Sequence, residues 1–135
     1  MDKQIEPIKR LKKHQQDRLE LEIGKLKQLA VEIQNNINTL HDDREINQQN
    51  KVEYIKSFYR RLKEAAAFRS NVFYELEIET SKFNLRDSEI EEEIDENIDE
   101  LEQVELESQR LQQELRGVIV KLEKYKFIQD DLRMG

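Results

Sequence analysis

Metal binding and acid–base catalysis are the chemistries that the histidines and carboxylates of this chain could perform. The two histidines, His14 and His41, are 27 residues apart, and neither belongs to a Glu-x-x-His or His-x-x-x-His pair on one helix face. The eleven acids from Glu89 to Glu107 lie on a segment with a continuous apolar heptad pattern, which predicts a helix rather than a calcium loop with its mid-loop glycine. We interpret both groups as solvated surface residues and expect no catalytic residue, no metal site and no cofactor.

Composition excludes most enzyme classes. Charged residues make up 39% of the 135 residues and the apolar class only 36%, which is too little for a spherical core. Three glycines could not build a phosphate-binding loop, and there is no cysteine for thiolate chemistry. Neither a signal peptide nor an apolar run of ~20 residues is present. The sequence predicts a non-enzymatic, soluble, cytoplasmic protein.

Cations cluster near both ends of the chain. Residues 1–18 carry six Lys and Arg against three acids, residues 116–135 carry five against three, and the region between is acidic. An acidic middle disfavours nucleic acid as a partner, because phosphates would be repelled along most of the chain. Cations at a helix N-terminus oppose the helix dipole, so the first cluster predicts docking on an acidic surface. The predicted basic tip comprises Lys9, Arg10, Lys12, Lys13, Arg18, Lys121, Lys124 and Lys126.

Aromatic residues concentrate in the middle of the chain. Seven of the nine lie between Tyr54 and Phe83, where they would either staple a turn or form a docking patch. Sequence neighbours on a helix cannot share one face, so the pairs Phe58–Tyr59 and Phe73–Tyr74 must turn some rings outward. The predicted docking residues are Phe58, Tyr59, Phe68, Phe73 and Tyr74.

The apolar spacing predicts the elements that position these groups. From Leu19 to Leu40, and again from Ile90 to Tyr125, seam residues alternate steps of four and three, as in a coiled coil. We predict an all-α fold, a long antiparallel two-helix coiled-coil hairpin. Its first arm spans about residues 8–66, the turn about 67–71 and the second arm about 71–132. Each arm would reach roughly 90 Å at ~1.5 Å per residue.

Two alignments of the arms, or registers, place the apolar seam of one helix against the apolar seam of the other. Pairing residue i with residue 141 − i leaves Ser108 as the one polar seam mismatch, places Gly24 opposite Gly117 and centres the turn near Ser70–Asn71. Pairing i with 134 − i adds the mismatch of Ile37 with Asn97 and centres the turn near Ala67. We prefer the first register. Seam positions from His41 to Lys51 are polar, so we expect the coil to be loosest there.

The chain resembles the central stalk proteins of type III secretion and flagellar export, the YscO/FliJ group. The resemblance rests on its opening Pro7-Ile8-Lys9-Arg10-Leu11-Lys12-Lys13-His14, on Phe58-Tyr59-Arg60-Arg61-Leu62 before the turn, and on its closing Val120-Lys121-Leu122-Glu123-Lys124-Tyr125-Lys126-Phe127. The net charge of −7 differs from the weakly basic character of that group.

The resemblance implies a stalk that inserts its free-termini end into a hexameric secretion ATPase and links it to the export gate. Its basic tip would contact the ring, and its aromatic turn would contact the gate or a secretion chaperone. It would be a monomer, associated with the inner-membrane apparatus only through its partners.

Two alternatives keep the same seams. A structural tether would be a parallel dimer of one continuous helix, but Arg44, Asn47, Lys51 and Asp87 would then face their own copies. An escort chaperone would use the hairpin to bind a client. The repulsion across a dimer seam favours the hairpin.

Overall fold

The computed structural model describes residues 2–65 and 71–134. Helix α1 spans Asp2–Glu64 and helix α2 spans Val72–Met134, and the two pack against each other. The described residues contain no strand, so the predicted all-α helical hairpin is confirmed. The two predicted turn centres concern Ala67 and Ser70, which lie outside the described residues.

Helix α1 begins six residues before the predicted start at Ile8. Pro7 therefore lies inside the helix rather than at its first position. Its ring nitrogen cannot donate to the carbonyl four residues earlier, which removes one helix hydrogen bond close to the N-terminus. At the other end, the N–H of Ala65 donates to the carbonyl of Leu62 at 3.4 Å. At the start of α2, the N–H of Tyr74 donates to the carbonyl of Asn71 at 3.1 Å.

The hairpin divides into two compact units. The terminal unit comprises Met1–Glu32 and Leu101–Gly135, and the turn unit comprises Ile33–Glu100. Both contain a segment of each helix. The terminal unit has a core cluster of buried Leu19, Ile23, Leu111 and Val118, against which Leu26, Leu115 and Leu122 pack. All seven belong to the predicted heptad seams, which are therefore buried as expected.

Contacts across the turn unit identify the register. Arg44 bonds to Asp87, and Asn47 donates to the carbonyl of Phe83. The numbers in these pairs sum to 131 and 130, and those of Lys51 and Asn84, which are also bonded, sum to 135. These sums lie within four of the 134 of the alternative register and six to eleven below the preferred 141. In the terminal unit, Glu6 accepts from Gln129, a pair whose numbers sum to 135. The preferred register was wrong.

The predicted placement of Gly24 opposite Gly117 fails with that register, and neither glycine marks a close approach of the two helices. A Cβ atom added to Gly24 or Gly117 would meet nothing within 4 Å. The register explains this, because the shift of one heptad removes each glycine from the level of the other. No described helix contains an apolar stretch long enough to cross a membrane.

Candidate docking surfaces

All eight predicted basic-tip residues lie in the terminal unit. The fold therefore brings the two sequence-distant clusters into one compact body. In the observed register Arg10 is level with Lys124, and Lys13 with Lys121, since each pair sums to 134. Folding thus concentrates positive charge that the sequence separates by more than a hundred residues.

Lys9 has a structural role within this cluster. Its Nζ donates to Oε1 of Gln129 at 2.7 Å, and Nε2 of Gln129 donates to Oε2 of Glu6 at 2.9 Å. Gln129 is only 3% exposed, so these bonds satisfy a buried amide between the helices. The hydrogen bond from Gln129, followed by the nearby charge of Lys9, holds the pKa of Glu6 below its usual 4.5.

The other seven residues of the predicted basic tip differ in whether their side chains form ion pairs or hydrogen bonds. Lys13 forms an ion pair with Asp17 at 3.5 Å, and Arg18 lies 4.0 Å from Glu22, both along the exposed surface of α1. Lys12 donates to Gln15 at 3.5 Å. Four cations form no ion pair or side-chain hydrogen bond with any described residue: Arg10, Lys121, Lys124 and Lys126. These four are the residues of the predicted tip that are most available to a partner.

The predicted aromatic patch separates into a core residue and surface residues. Phe58 is 3% exposed, and its ring centroid lies 6.2 Å from Phe73 and 5.7 Å from Tyr59. Phe58 therefore packs between the helices and cannot be a docking residue. Tyr59, Phe73 and Tyr74 are 47%, 41% and 67% exposed. Phe68 lies outside the described residues.

An apolar stripe on the outer face of α2 was missed in the sequence. Tyr74, Ile78 and Leu85 are each more than half exposed, and with Ser81 they step by four, three and four. They lie two positions after Val72, Leu76 and Phe83, which are half-buried. Two residues rotate a helix by about 200°, so this stripe points away from α1. In the sequence, this stripe could have been found as a second heptad series, two residues after the half-buried one.

Polar residues replace the apolar seam in the middle of the turn unit. The Arg44 guanidinium donates to both oxygens of Asp87, at 2.8 and 3.2 Å, and lies 3.7 Å from Glu91. Asn47 Nδ2 donates to the carbonyl of Phe83 at 2.9 Å, and Lys51 Nζ donates to Asn84 Oδ1 at 2.7 Å. We call Arg44, Asn47, Lys51, Asn84 and Asp87 the polar belt. The segment predicted to be loosest is thus bridged by hydrogen bonds between the helices.

Because of the polar belt, the thermal stability of the fold should decrease at acidic pH. The hydrogen bond from Arg44 holds the pKa of Asp87 below its usual 3.8. The ionised carboxylate is therefore stabilised only in the folded chain, and this contribution is complete above the unfolded pKa. It is lost as pH falls through the folded pKa. We expect the midpoint of thermal unfolding, followed by circular dichroism, to decrease as pH falls from about 5 to 2.

The matched variant for this pH series is Asp87→Asn, which cannot ionise. Its unfolding temperature should fall less steeply over the same range, because position 87 no longer loses a stabilised negative charge. Part of the fall should remain, since the pKa values of Glu6 and Glu107 are also lowered. A variant that follows the wild-type slope would contradict a role for Asp87.

Comparisons with known proteins give no match: no family model fits the chain, and neither a curated protein nor a solved structure resembles it significantly. Within residues 2–65 and 71–134, no group of three or more His, Cys, Asp or Glu could hold a metal ion. The described surfaces carry exposed charges and exposed apolar side chains.

Proposed function

We propose that this chain is the non-enzymatic central stalk of a type III secretion or flagellar export apparatus. Its terminal unit would insert into a hexameric secretion ATPase and promote assembly of the ring and hydrolysis. The observation that carries this proposal is the convergence of both cation clusters in the terminal unit, with Arg10, Lys121, Lys124 and Lys126 unpaired among the described residues. The resemblance of the chain to the stalk group supplies the identity of the partner.

Unpaired cations on neighbouring helices repel one another, which costs stability in the free protein. An acidic surface on a partner relieves that repulsion and is attracted over about a Debye length, ~8–10 Å at physiological salt. A single asymmetric hairpin inside a six-fold ring contacts only some of the subunits at a time. Such unequal contact allows the stalk to favour one conformation of the ring over another, which links its binding to hydrolysis.

The turn unit would contact the export gate. Its contribution is the outer stripe of Tyr74, Ile78 and Leu85, together with the exposed rings of Tyr59 and Phe73. Exposed apolar residues at heptad spacing on a helix that already has a buried seam are typical of a second helix-docking face.

The same stripe supports a second candidate function, an escort chaperone. A client or a secretion chaperone with an amphipathic helix would bury its apolar face against Tyr74, Ile78 and Leu85. This function needs the turn unit alone. The stalk function also needs the basic residues of the terminal unit.

Stimulation of ATP hydrolysis tests the stalk proposal. We expect the wild-type chain to raise the hydrolysis rate of a purified hexameric secretion ATPase. Arg10→Glu, Lys121→Glu and Lys124→Glu combined should weaken the apparent affinity by about tenfold or more, since three favourable charge contacts become repulsive. Adding salt from about 50 to 300 mM should weaken the wild-type affinity as well.

The matched control reverses Lys25, Lys27 and Arg116, which are exposed cations of the same unit outside the predicted tip. The net charge changes equally, so an effect of overall charge would appear in both triple variants. Failure of the wild-type chain to stimulate hydrolysis, or equal loss in the two variants, would remove the stalk proposal. If the chain then bound a chaperone or client through Ile78, the escort function would be the supported alternative.

A further inference from the structure

The last three turns of α1 carry a group of cations that have no ion-pair partner among the described residues of the turn unit. Lys56, Arg60 and Lys63 step by four and three, so they share one face of the helix. All three are exposed, and none forms an ion pair or hydrogen bond with a described residue. Four other cations of this unit do have such partners, namely Arg44 with Asp87, Lys51 with Asn84, Lys82 with Glu79, and Arg86 with Glu89, whereas neighbouring Arg61 has none among the described residues.

Helix electrostatics explain only part of this cluster. Arg61 and Lys63 lie in the last turn of α1, where a cation is favoured by the helix dipole. Lys56 lies eight residues before the end of the helix at Glu64, beyond the reach of that effect. Arg60 follows Lys56 by four residues and precedes Lys63 by three, and like charges at both spacings repel. Glu53, three residues before Lys56, and Glu64, four residues after Arg60, offset part of this repulsion, but neither forms an ion pair with these cations.

Apolar side chains lie on the same face. Val52 and Tyr59 alternate with Lys56 and Lys63 at steps of four, three and four, and they are 49% and 47% exposed. The ring of Tyr59 packs edge-on against buried Phe58, with centroids 5.7 Å apart and planes at 82°. This contact orients Tyr59 before any partner binds, which lowers the entropy lost on docking. Tyrosine and arginine are also the side chains enriched at interface hot spots.

We propose that this cationic face, defined by Val52, Lys56, Tyr59, Arg60 and Lys63, docks an acidic helical segment of a partner protein. Carboxylates at i, i+4 and i+7 of that segment would match the three cations, and apolar residues between them would cover Val52 and Tyr59. This inference shares one assumption with the proposed function, namely that the turn unit contacts another protein. It adds that the contacted segment of that protein is an acidic helix.

Charge on α2 favours a narrow segment over an anionic membrane. Glu75 and Glu77 are exposed in the same unit, and the acidic run begins at Glu89. A flat anionic surface would contact these carboxylates as well as the cations and would be repelled. A single helix, with a diameter of about 10 Å, can lie along α1 alone.

Peptide binding tests the proposal directly. The probe is a fluorescein-labelled, capped, alanine-based helix of about 18 residues, with Glu at i, i+4 and i+7 and Leu between, and its twin has Gln for each Glu. Fluorescence anisotropy should show binding of the Glu peptide but not of the Gln peptide. We expect Lys56→Glu, Arg60→Glu and Lys63→Glu combined to raise Kd about tenfold or more, and Tyr59→Ser to raise it about threefold.

The control is again the combined reversal of Lys25, Lys27 and Arg116, which should bind the Glu peptide like the wild-type chain. Each variant is first checked for wild-type helicity by circular dichroism. Unchanged binding by the Lys56, Arg60 and Lys63 variant would overturn the proposal. So would vesicles of about 30% phosphatidylserine that bind through these cations while the peptide does not, or a dimer of this chain that the same variant dissociates.

The two proposals fail separately. The Lys56, Arg60 and Lys63 variant keeps the terminal unit intact and should stimulate the ATPase like the wild-type chain. Loss of peptide binding with stimulation retained is therefore the expected result. A wild-type chain that binds the peptide but does not stimulate hydrolysis would leave this surface in place and remove the stalk.

Discussion

Replacing Leu19 by alanine is expected to lower the free energy of unfolding by about 2–3 kcal/mol. Leu19 is 2% exposed and packs in the terminal core cluster with Ile23, Leu111 and Val118. The substitution removes three buried carbons and leaves a cavity between two helices that already contact each other along the seam. Alanine is a better helix former than leucine, so helix propensity opposes the loss, and the loss measured in urea by circular dichroism must come from packing.

Leu21→Ala is the matched control, because Leu21 lies on the same helix two residues later and is 60% exposed. Its free energy of unfolding should stay within about 0.5 kcal/mol of the wild-type value. Equal destabilisation by the two substitutions would mean that the seam of α1 is not the buried face. A small effect of Leu19→Ala alone would mean that the core cluster adapts to the missing side chain.

Reversing the charge of Asp87 is the second prediction with a large effect. Asp87→Arg removes the carboxylate that accepts two hydrogen bonds from Arg44 and places two cations against each other. We expect the midpoint of thermal unfolding to fall by roughly 5–10 °C. Arg44→Asp combined with Asp87→Arg restores an opposite-charge pair and should recover most of that loss. Circular dichroism melts of the two single variants and the double variant form a double-mutant cycle.

The same cycle separates the hairpin from a parallel dimer. In a parallel dimer each position would face its own copy, so the double variant would keep two like-charge contacts and would not recover. Glu89→Arg is the control for a surface pair, since Glu89 lies 3.6 Å from Arg86 on one exposed helix face. Exposed pairs contribute little, and its midpoint should change by less than about 3 °C. A cycle without coupling between positions 44 and 87 would contradict the polar belt.

The docking residues were only partly predictable. Adjacent aromatics such as Phe58 and Tyr59 had to face different directions, but their helix phase relative to α2 decides which ring is buried. The structure places Phe58 in the core and leaves Tyr59 on the surface. Among the cations, Lys9 has the same sequence signature as Arg10, yet Lys9 bonds to buried Gln129 across the hairpin. No local pattern distinguishes two neighbouring basic residues in this way.

The helices and their buried faces were determined by sequence alone. A chain with one proline and three glycines, whose apolar residues alternate steps of four and three, has few alternatives to long amphipathic helices. Those steps also identify the residues of the seam, and Leu19, Ile23, Leu111 and Val118 are buried as expected.

The register was decided only by the tertiary structure. A heptad seam repeats every seven residues, so a shift by one heptad keeps every apolar face buried and changes the apolar energy little. The preferred register was judged on the apolar seam from Leu19 to Leu40, where it costs one mismatch fewer. It would place Arg44 opposite Asn97 and Lys51 opposite Ile90, far along α2 from Asp87 and Asn84. The observed register pairs Arg44 with Asp87. Leaving a partly buried charge unpaired costs more free energy than one additional mismatch in the apolar seam, so the polar contacts favour this register.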